Sequence, residues 1–178
     1  NALTDILLQI SEGDLREIGF PKGSMNLINA QQFEQLQTRF ASVRKRMVAG
    51  GSASNTVATI AQLGGKAAFI GKIGNDEVGR FYHEDLLKNN VQPQMLTSSL
   101  MSGCCIVLIT PDGERTFCTY LGAAADMKAE DICKEAFIGY DTEKPSPQIA
   151  KYLRAWAVNW GFSVEMILHA LKESGRSF

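Results

Sequence analysis

Several features that mark common protein classes are missing from this sequence. No apolar run reaches the roughly 18 residues that cross a bilayer, and we expect no secretory leader. The formal net charge is -1, so the basic excess of a nucleic-acid-binding protein is missing too. With 45% apolar and 21% charged residues, the 178-residue chain has the composition of a soluble globular protein. We therefore expect a cytoplasmic protein with neither nucleic acid nor a membrane as a partner.

Metal-binding patterns are scarce as well. The sequence holds four cysteines and two histidines, and no two of the cysteines form a Cys-x-x-Cys pair. A structural zinc site needs about four such ligands at short spacings. We therefore predict no metal site. Cys104 and Cys105 are neighbours on a predicted strand, and we expect them to be buried reduced thiols that point to opposite faces.

Glycine, by contrast, is placed with a clear pattern. Residues 50–56 read Gly-Gly-Ser-Ala-Ser-Asn-Thr and lead into a predicted helix over 56–63. Adjacent glycines let a ligand approach the main chain, and the free N–H groups of a helix start attract hydroxyls or anions. The pattern predicts either a ligand cradle at a strand-to-helix turn or an ordinary tight turn with a good helix cap.

Strands and helices alternate along the first half of the chain. Predicted strands cover about 2–10, 43–49 and 66–73. Asn29 caps a predicted helix with Phe33, Leu36 and Phe40 on one face, and a helix over 79–90 is expected to turn Phe81, Leu86 and Leu87 inward. This alternation indicates a layered α/β fold. Residues 44–46, Arg-Lys-Arg, are interpreted as a solvated strand edge.

A hairpin interrupts the alternation. Residues 104–109 and 115–121 read as strands on either side of a Thr-Pro-Asp-Gly turn. A hairpin inside an α/β chain often forms an appendage, and a short strand over about 25–28 is expected to join it in a small sheet that covers the glycine cradle.

Taken in order, these segments resemble the ribokinase-like (PfkB) family of sugar and nucleoside kinases, and its adenosine kinase-like branch most of all. The resemblance covers about residues 1–130. It rests on residues 1–5 (NALTD), 50–56 (GGSASNT), 63–65 (LGG), 69–79 (FIGKIGNDEVG) and 110–116 (TPDGERT). It implies a three-layer α/β sandwich with a mostly parallel sheet and a small β-sheet lid, here with an incomplete core. Residues 1–140 would form the substrate-binding portion, with lid strands at about 25–28, 104–109 and 115–121.

The resemblance also implies an activity and a set of site residues. The family transfers the γ-phosphoryl group of ATP, with magnesium, to a hydroxymethyl group of a sugar or nucleoside. The substrate-binding positions implied are Asn1, Asp5, Gly50, Gly51, Asn55 and Cys105. Asp5 would accept hydrogen bonds from sugar hydroxyls, which explains a carboxylate within an apolar strand. Without the resemblance, Asn55 would be interpreted as a helix-end hydrogen-bonding residue. Arg115 matches an arginine that reaches the phosphoryl groups when the lid closes; its alternative is an exposed hairpin arginine.

The catalytic motif of the family is not in the sequence. Gly-Ala-Gly-Asp, which supplies the base, does not occur in the 178 residues, and neither does Asn-x-x-Glu or a Walker-type Gly-Lys-Ser/Thr. We therefore predict no catalytic residue in this chain. We expect a truncated or altered kinase, preceded by further residues, with little activity alone. The alternatives are an inactive sugar- or nucleoside-binding module and an interaction module that dimerises through the lid sheet.

Residues 141–178 diverge from the family. Ile149, Tyr152, Leu153, Trp156, Ala157 and Trp160 lie at helical spacing, and a second short helix follows. This helical segment could fill the space of the missing sheet, bind another chain, or result from a frame change after about residue 140.

Overall fold

Strands and helices alternate through the part of the chain that the structure, a computed structural model, describes: residues 1–128 and 131. In chain order the elements are β1 Leu3–Gln9, α1 Glu12–Ile18, β2 Met25–Leu27, α2 Ala30–Arg39, β3 Lys45–Gly50, α3 Ser52–Gln62, β4 Ala67–Gly74, α4 Glu77–Lys88, β5 Val91–Ser98, β6 Gly103–Ile109 and β7 Arg115–Tyr120, followed by a short 3-10 helix over Gly122–Asp126. The predicted helices beyond residue 141 lie outside the described residues.

The larger sheet has five strands in the order β2-β7-β6-β1-β3. β1 runs parallel to β6 and antiparallel to β3, while the β6–β7 hairpin is antiparallel and β2 is parallel to β7. The three strands predicted for the lid do lie side by side. They are not a sheet of their own, however, because β1 and β3 extend the same sheet. An apolar strand pattern does not tell which strands pair, so this extension was not predictable from periodicity.

One face of the five-stranded sheet is covered by α1 and α2. Its core consists of Ile6, Leu8, Ile10, Leu15, Ile28, Phe33, Leu36, Phe40, Cys104, Ile106, Leu108 and Cys118. The predicted face of α2 is confirmed, and Asn29 caps that helix in a reciprocal pair with Gln32. Residues at odd positions of β1 point to the opposite face, which carries the candidate site.

The smaller sheet pairs β4 with β5 in parallel, and α4 connects the two strands. Its core comprises Ala2, Ala61, Ala67, Phe69, Tyr82, Leu86 and Val91. Counting all pairs, β1·β6, β2·β7 and β4·β5 are parallel and β1·β3 and β6·β7 are antiparallel, so parallel pairing predominates. The predicted mixed α/β class is confirmed.

The inward face of α4 differs from the prediction. The helix buries Gly79, Tyr82 and Leu86, while Leu87 is 50% exposed and Phe81 is only partly buried. Adjacent residues lie about 100° apart around a helix, and here the narrow buried stripe includes Leu86 but leaves Leu87 at its edge. The spacing of Gly79, Tyr82 and Leu86 defines the buried face instead, because it follows the 3-4 repeat of a single helical stripe.

Within the described residues, no helix combines the length and apolar character that a bilayer crossing demands. α3 begins earlier than predicted, at Ser52, directly after the glycine pair.

Candidate functional site

The Gly50–Gly51 pair lies where the chain leaves β3 and enters α3. A Cβ on Gly50 would lie 2.9 Å from Cγ, Oδ1 and Oδ2 of Asp5. Gly51 has a φ of 92°, and a Cβ there would lie 2.8 Å from the carbonyl oxygen of Asn1. Both glycines are therefore required, Gly50 by the Asp5 carboxylate and Gly51 by its backbone conformation and by Asn1.

The start of α3 has no side-chain cap. Gly51 occupies the N-cap position, and no side chain accepts a hydrogen bond from the first turn. The side-chain cap that the alternative interpretation expected is therefore not formed. The first turn presents N–H groups without a side-chain acceptor, as a cradle for a polar ligand requires.

Asp5 is the only carboxylate within the strand β1, and its side chain is partly buried. Its neighbours across the sheet are Val48 on β3 and Cys105 on β6. No described residue donates a hydrogen bond to this carboxylate, and burial raises its pKa above the usual value. A partly buried acceptor without a donor has unused capacity for hydrogen bonds, which a ligand hydroxyl would fill.

Cys105 continues the same row across the sheet face. Thr119 is its register partner on β7, and the Thr119 hydroxyl donates a hydrogen bond of 3.3 Å to Sγ. Burial raises the pKa of the Cys105 thiol, and the nearby Asp5 raises it further while Thr119 opposes the shift. The thiol therefore stays protonated at neutral pH. Beside the Asp5 carboxylate the sheet face is thus neutral and weakly polar, as was expected of a buried reduced cysteine.

Tyr82 of α4 supports the glycine turn. Its hydroxyl donates a hydrogen bond of 3.3 Å to the carbonyl oxygen of Gly50, and the side chain is 1% exposed. Burial raises the pKa of Tyr82 to about 12, although a hydrogen bond with Ser54 opposes the shift. The phenol is therefore neutral and remains a donor at physiological pH. Neither Tyr82 nor Ser54 was predicted as a site residue.

Asn1 and Asn55 are both exposed at the rim of this region. The backbone of Asn55 is used, because its N–H donates to Gly51 and its carbonyl accepts from the Thr59 hydroxyl. Its side-chain amide has no partner among the described residues. The amide group of Asn55 is therefore available to a ligand that binds at the start of α3.

Arg115 is not close to the other predicted residues. It opens β7 opposite Ile109, four residues along the strand from Thr119, which is about 13 Å at the rise of a β-strand. It is exposed on the same sheet face as Asp5. The structure therefore brings Asp5, Gly50, Gly51, Cys105 and the backbone of Asn1 together, and leaves Arg115 at the far end of the face.

A cavity of about 400 Å³ lies elsewhere, at the C-terminal ends of β4 and β5. It is lined by Ile73, Gly74, Asn75, Arg80, His83, Glu84 and Thr97. None of the predicted site residues lines it. Within residues 1–128, moreover, no group of three or more histidine, cysteine or acidic side chains could hold a metal ion. These residues do not fit a magnesium site.

Comparison with known proteins places the chain in a family. The pfkB family carbohydrate kinase profile matches residues 23–141. The chain belongs to the pfkB family. Among curated relatives, probable fructokinase-5 of Arabidopsis thaliana is 36% identical over 97 residues, covering 53% of this chain and 29% of that protein. The aminoimidazole riboside kinase of Salmonella typhimurium is 39% identical over 88 residues, covering 47% and 27%.

Solved kinase structures lead to the same family assignment. The adenosine kinase of Sinorhizobium meliloti superposes with a TM-score of 0.66 at 37% identity, covering 76% of this chain and 41% of that one. A probable sugar kinase from Rhizobium etli gives 0.65 at 34% identity, covering 74% and 40%. The matched region thus spans less than half of the length of these relatives. The ribokinase-like fold and the family predicted from the motifs are confirmed.

Proposed function

We propose that this chain is the acceptor-binding portion of a kinase that transfers the γ-phosphoryl group of ATP to a hydroxymethyl group of a sugar or nucleoside. The observation that carries the proposal is the Asp5 carboxylate, which is partly buried, has no donor among the described residues and lies against Gly50. A charged acceptor that hydrogen-bonds to a hydroxyl is worth more than a neutral one, and its fixed position discriminates between hydroxyl stereoisomers.

The surrounding residues define what the site can do. Gly50 keeps a side chain away from Asp5, Gly51 keeps one away from the Asn1 carbonyl, Tyr82 fixes the carbonyl of Gly50, and the Asn55 amide can donate to a second hydroxyl. Together they bind and orient an acceptor rather than move its proton. The names of the relatives, fructokinase, aminoimidazole riboside kinase and adenosine kinase, support a sugar or nucleoside as the acceptor class.

ATP and magnesium belong to the proposed reaction of the whole enzyme. Because the Gly-Ala-Gly-Asp base is not in the sequence, we propose that the 178-residue chain is a truncated form that binds the acceptor but does not phosphorylate it. The lid strands β2, β6 and β7 would cover the acceptor, with Arg115 reaching the phosphoryl groups only after closure. We also propose a cytoplasmic location, which the buried free thiols Cys104, Cys105 and Cys118 support.

Calorimetry with adenosine, ribose and fructose tests the acceptor site. The 178-residue chain should bind at least one of them, and Asp5→Asn should weaken that binding about tenfold or more through the loss of a charge-assisted hydrogen bond. Asp14→Asn is the matched control, because Asp14 is a carboxylate in α1 that bonds only to Ser11 and Arg39. No heat with any ligand, or equal affinity of Asp5→Asn and the unsubstituted chain, would contradict the proposal. ATP-dependent phosphorylation by the chain alone would contradict the truncation.

A second proposal is homodimerisation through the lid sheet. The short edge strand β2 exposes Met25 at 73% and Leu27 at 71%, which is unusual for large apolar side chains on a sheet edge. Sedimentation equilibrium of the chain should show a dimer that Leu27→Lys dissociates. A monomer at every concentration would refute it.

A further inference from the structure

Asp76 and Ser102 form a hydrogen-bonded cluster outside the acceptor site. The Ser102 hydroxyl donates a bond of 2.7 Å to Oδ1 of Asp76, and the Ser102 backbone N–H donates a bond of 2.8 Å to Oδ2. The Ser102 hydroxyl also accepts from the Gly74 N–H at 2.9 Å, and Oδ1 of Asp76 accepts from the Gly79 N–H at 2.8 Å. Ser102 is 3% exposed. Both carboxylate oxygens are therefore bonded, and one residue, Ser102, contacts both.

This cluster connects the two sheets. Gly74 ends β4 and Asp76 is the N-cap of α4, so both belong to the smaller sheet and its helix. Ser102 immediately precedes β6, a central strand of the five-stranded sheet. Glycine is required on the α4 side, because a Cβ on Gly79 would lie 2.5 Å from the carbonyl oxygen of Gly74 and 2.8 Å from the Ser102 hydroxyl. A side chain at residue 79 would therefore disrupt this contact.

The register of β6 relates this contact to the acceptor site. Gly103 pairs with Leu3, and two residues further along Cys105 pairs with Asp5. Any displacement of residue 102 is passed along β6 to the row that contains Asp5. The same helix also holds the other side of the site, because Tyr82 bonds to the carbonyl of Gly50. α4 and its N-cap thus contact the five-stranded sheet at two points on either side of β1, next to Gly50 and Gly103, which both pair with Leu3.

We propose that the Asp76–Ser102 pair is a clamp that fixes the orientation of the five-stranded sheet on α4 and thereby positions Asp5 and Cys105 for the acceptor. The second half of this statement rests on the proposed function; the clamp itself does not. Asp76 is a positioning residue, since it has no contact with the predicted site residues. Burial opposes ionisation of Asp76, but the hydrogen bonds from Ser102 and Gly79 outweigh it and lower its pKa, so the clamp is charged at neutral pH.

Asp76→Asn tests the clamp without removing the helix cap, because asparagine is also a good N-cap residue. An amide that keeps the bond to Gly79 presents its NH₂ to the Ser102 N–H, so one acceptor is lost. Hydrogen exchange of the 178-residue chain should then accelerate about tenfold or more at residues 99–105, while the amides of β4 and β5 other than Gly74 change less than about twofold. Ser102→Ala should give the same local pattern. The double variant should accelerate exchange more than either single one, because Asp76→Asn removes the bond from the Ser102 N–H and Ser102→Ala removes the bond from its hydroxyl.

Asp14→Asn is the control, since Asp14 and Ser11 form a comparable carboxylate–hydroxyl pair that stays within the start of α1. It should accelerate exchange only near residues 11–15. Uniform acceleration across both sheets after Asp76→Asn would show a general loss of stability and overturn the clamp, as would unchanged exchange at residue 102. Calorimetry tests whether the clamp positions the acceptor site. If the unsubstituted chain binds an acceptor, Asp76→Asn should bind it at least about threefold more weakly. A chain that binds no acceptor refutes the proposed function and leaves the exchange result to decide on the clamp.

Discussion

Gly50→Ala is the sharpest test of the acceptor site, because the structure gives the size of the perturbation. The added methyl carbon would lie 2.9 Å from the Asp5 carboxyl atoms, whereas non-bonded carbon contacts are favourable at about 3.5–4.0 Å. The carboxylate must therefore move by about 0.5–1 Å, which is enough to misplace a ligand-binding group. Losing one charge-assisted hydrogen bond costs about 1.5–3 kcal/mol, so acceptor affinity should fall about 10- to 150-fold.

The same substitution should disturb the fold much less. Overpacking costs about 1–3 kcal/mol, and the lower entropy of the unfolded chain returns about 0.5–1 kcal/mol, since Gly50 does not have a positive φ. The net loss of unfolding free energy should be about 0–2 kcal/mol by urea titration, with binding followed by calorimetry. Gly13→Ala is the control: its Cβ would meet nothing nearer than Ser11 Oγ at 3.5 Å, within α1. It should gain about 0.5–1 kcal/mol and leave affinity unchanged. Full affinity in Gly50→Ala would refute the placement of the acceptor beside Asp5.

Three further predictions concern stability and pH. Thr4 is 1% exposed and its hydroxyl has no hydrogen-bond partner, so Thr4→Val should raise the free energy of unfolding by about 1 kcal/mol. The hydroxyl of Thr116 is equally buried but accepts a hydrogen bond from the Gly23 N–H at 3.0 Å. Thr116→Val should therefore lower the free energy of unfolding by about 1–2 kcal/mol. Equal effects of the two valines in urea would contradict this difference. Tyr82→Phe should lower the free energy of unfolding by about 1–2 kcal/mol, because the Gly50 carbonyl loses its hydrogen-bond donor. A variant with weaker acceptor binding but unchanged stability would contradict that reason. Burial raises the pKa of Asp5, so between the ordinary and the raised pKa the folded chain binds more protons than the unfolded chain. The contribution of Asp5 to stability should therefore fall as the pH rises through that window. Acceptor affinity should rise over the same window, because the carboxylate must ionise to bind. Comparing the pH dependence of Asp5→Asn with that of the unsubstituted chain in both assays checks the two opposite signs.

Some helices and strands could be predicted from the sequence, and others could not. The strand β1, the helix α2 with its Asn29 cap and the β6–β7 hairpin followed directly from periodicity and turn chemistry, which are local properties. The strand β5 was not predicted, because its sequence Val-Gln-Pro-Gln-Met-Leu-Thr-Ser has a proline and no regular alternation. Its pairing with β4 is a tertiary effect that local propensity does not encode.

The candidate site shows the same division. Asp5 and the glycine pair were found because a carboxylate in an apolar strand and adjacent glycines are anomalies that can be read locally. Tyr82 was missed because an aromatic residue in an amphipathic helix looks like ordinary core, and only the fold shows its hydroxyl at the Gly50 carbonyl. The Asp76–Ser102 contact joins residues that are 26 positions apart in the sequence. No sequence motif contains both residues, so the contact could not be predicted from the sequence.

The basic residues of β3 have a consequence for the behaviour of the chain in solution. In the described part of the protein β3 pairs only with β1, so its other edge presents unpaired backbone groups. Lys45 and Arg46 are exposed on this strand, and Arg44 directly precedes it. A second copy that added its own β3 there would bring like charges together across a strand spacing of about 4.8 Å. Fibril-like growth from this edge is therefore opposed by charge, and neutralising residues 44–46 should make aggregation through this edge easier.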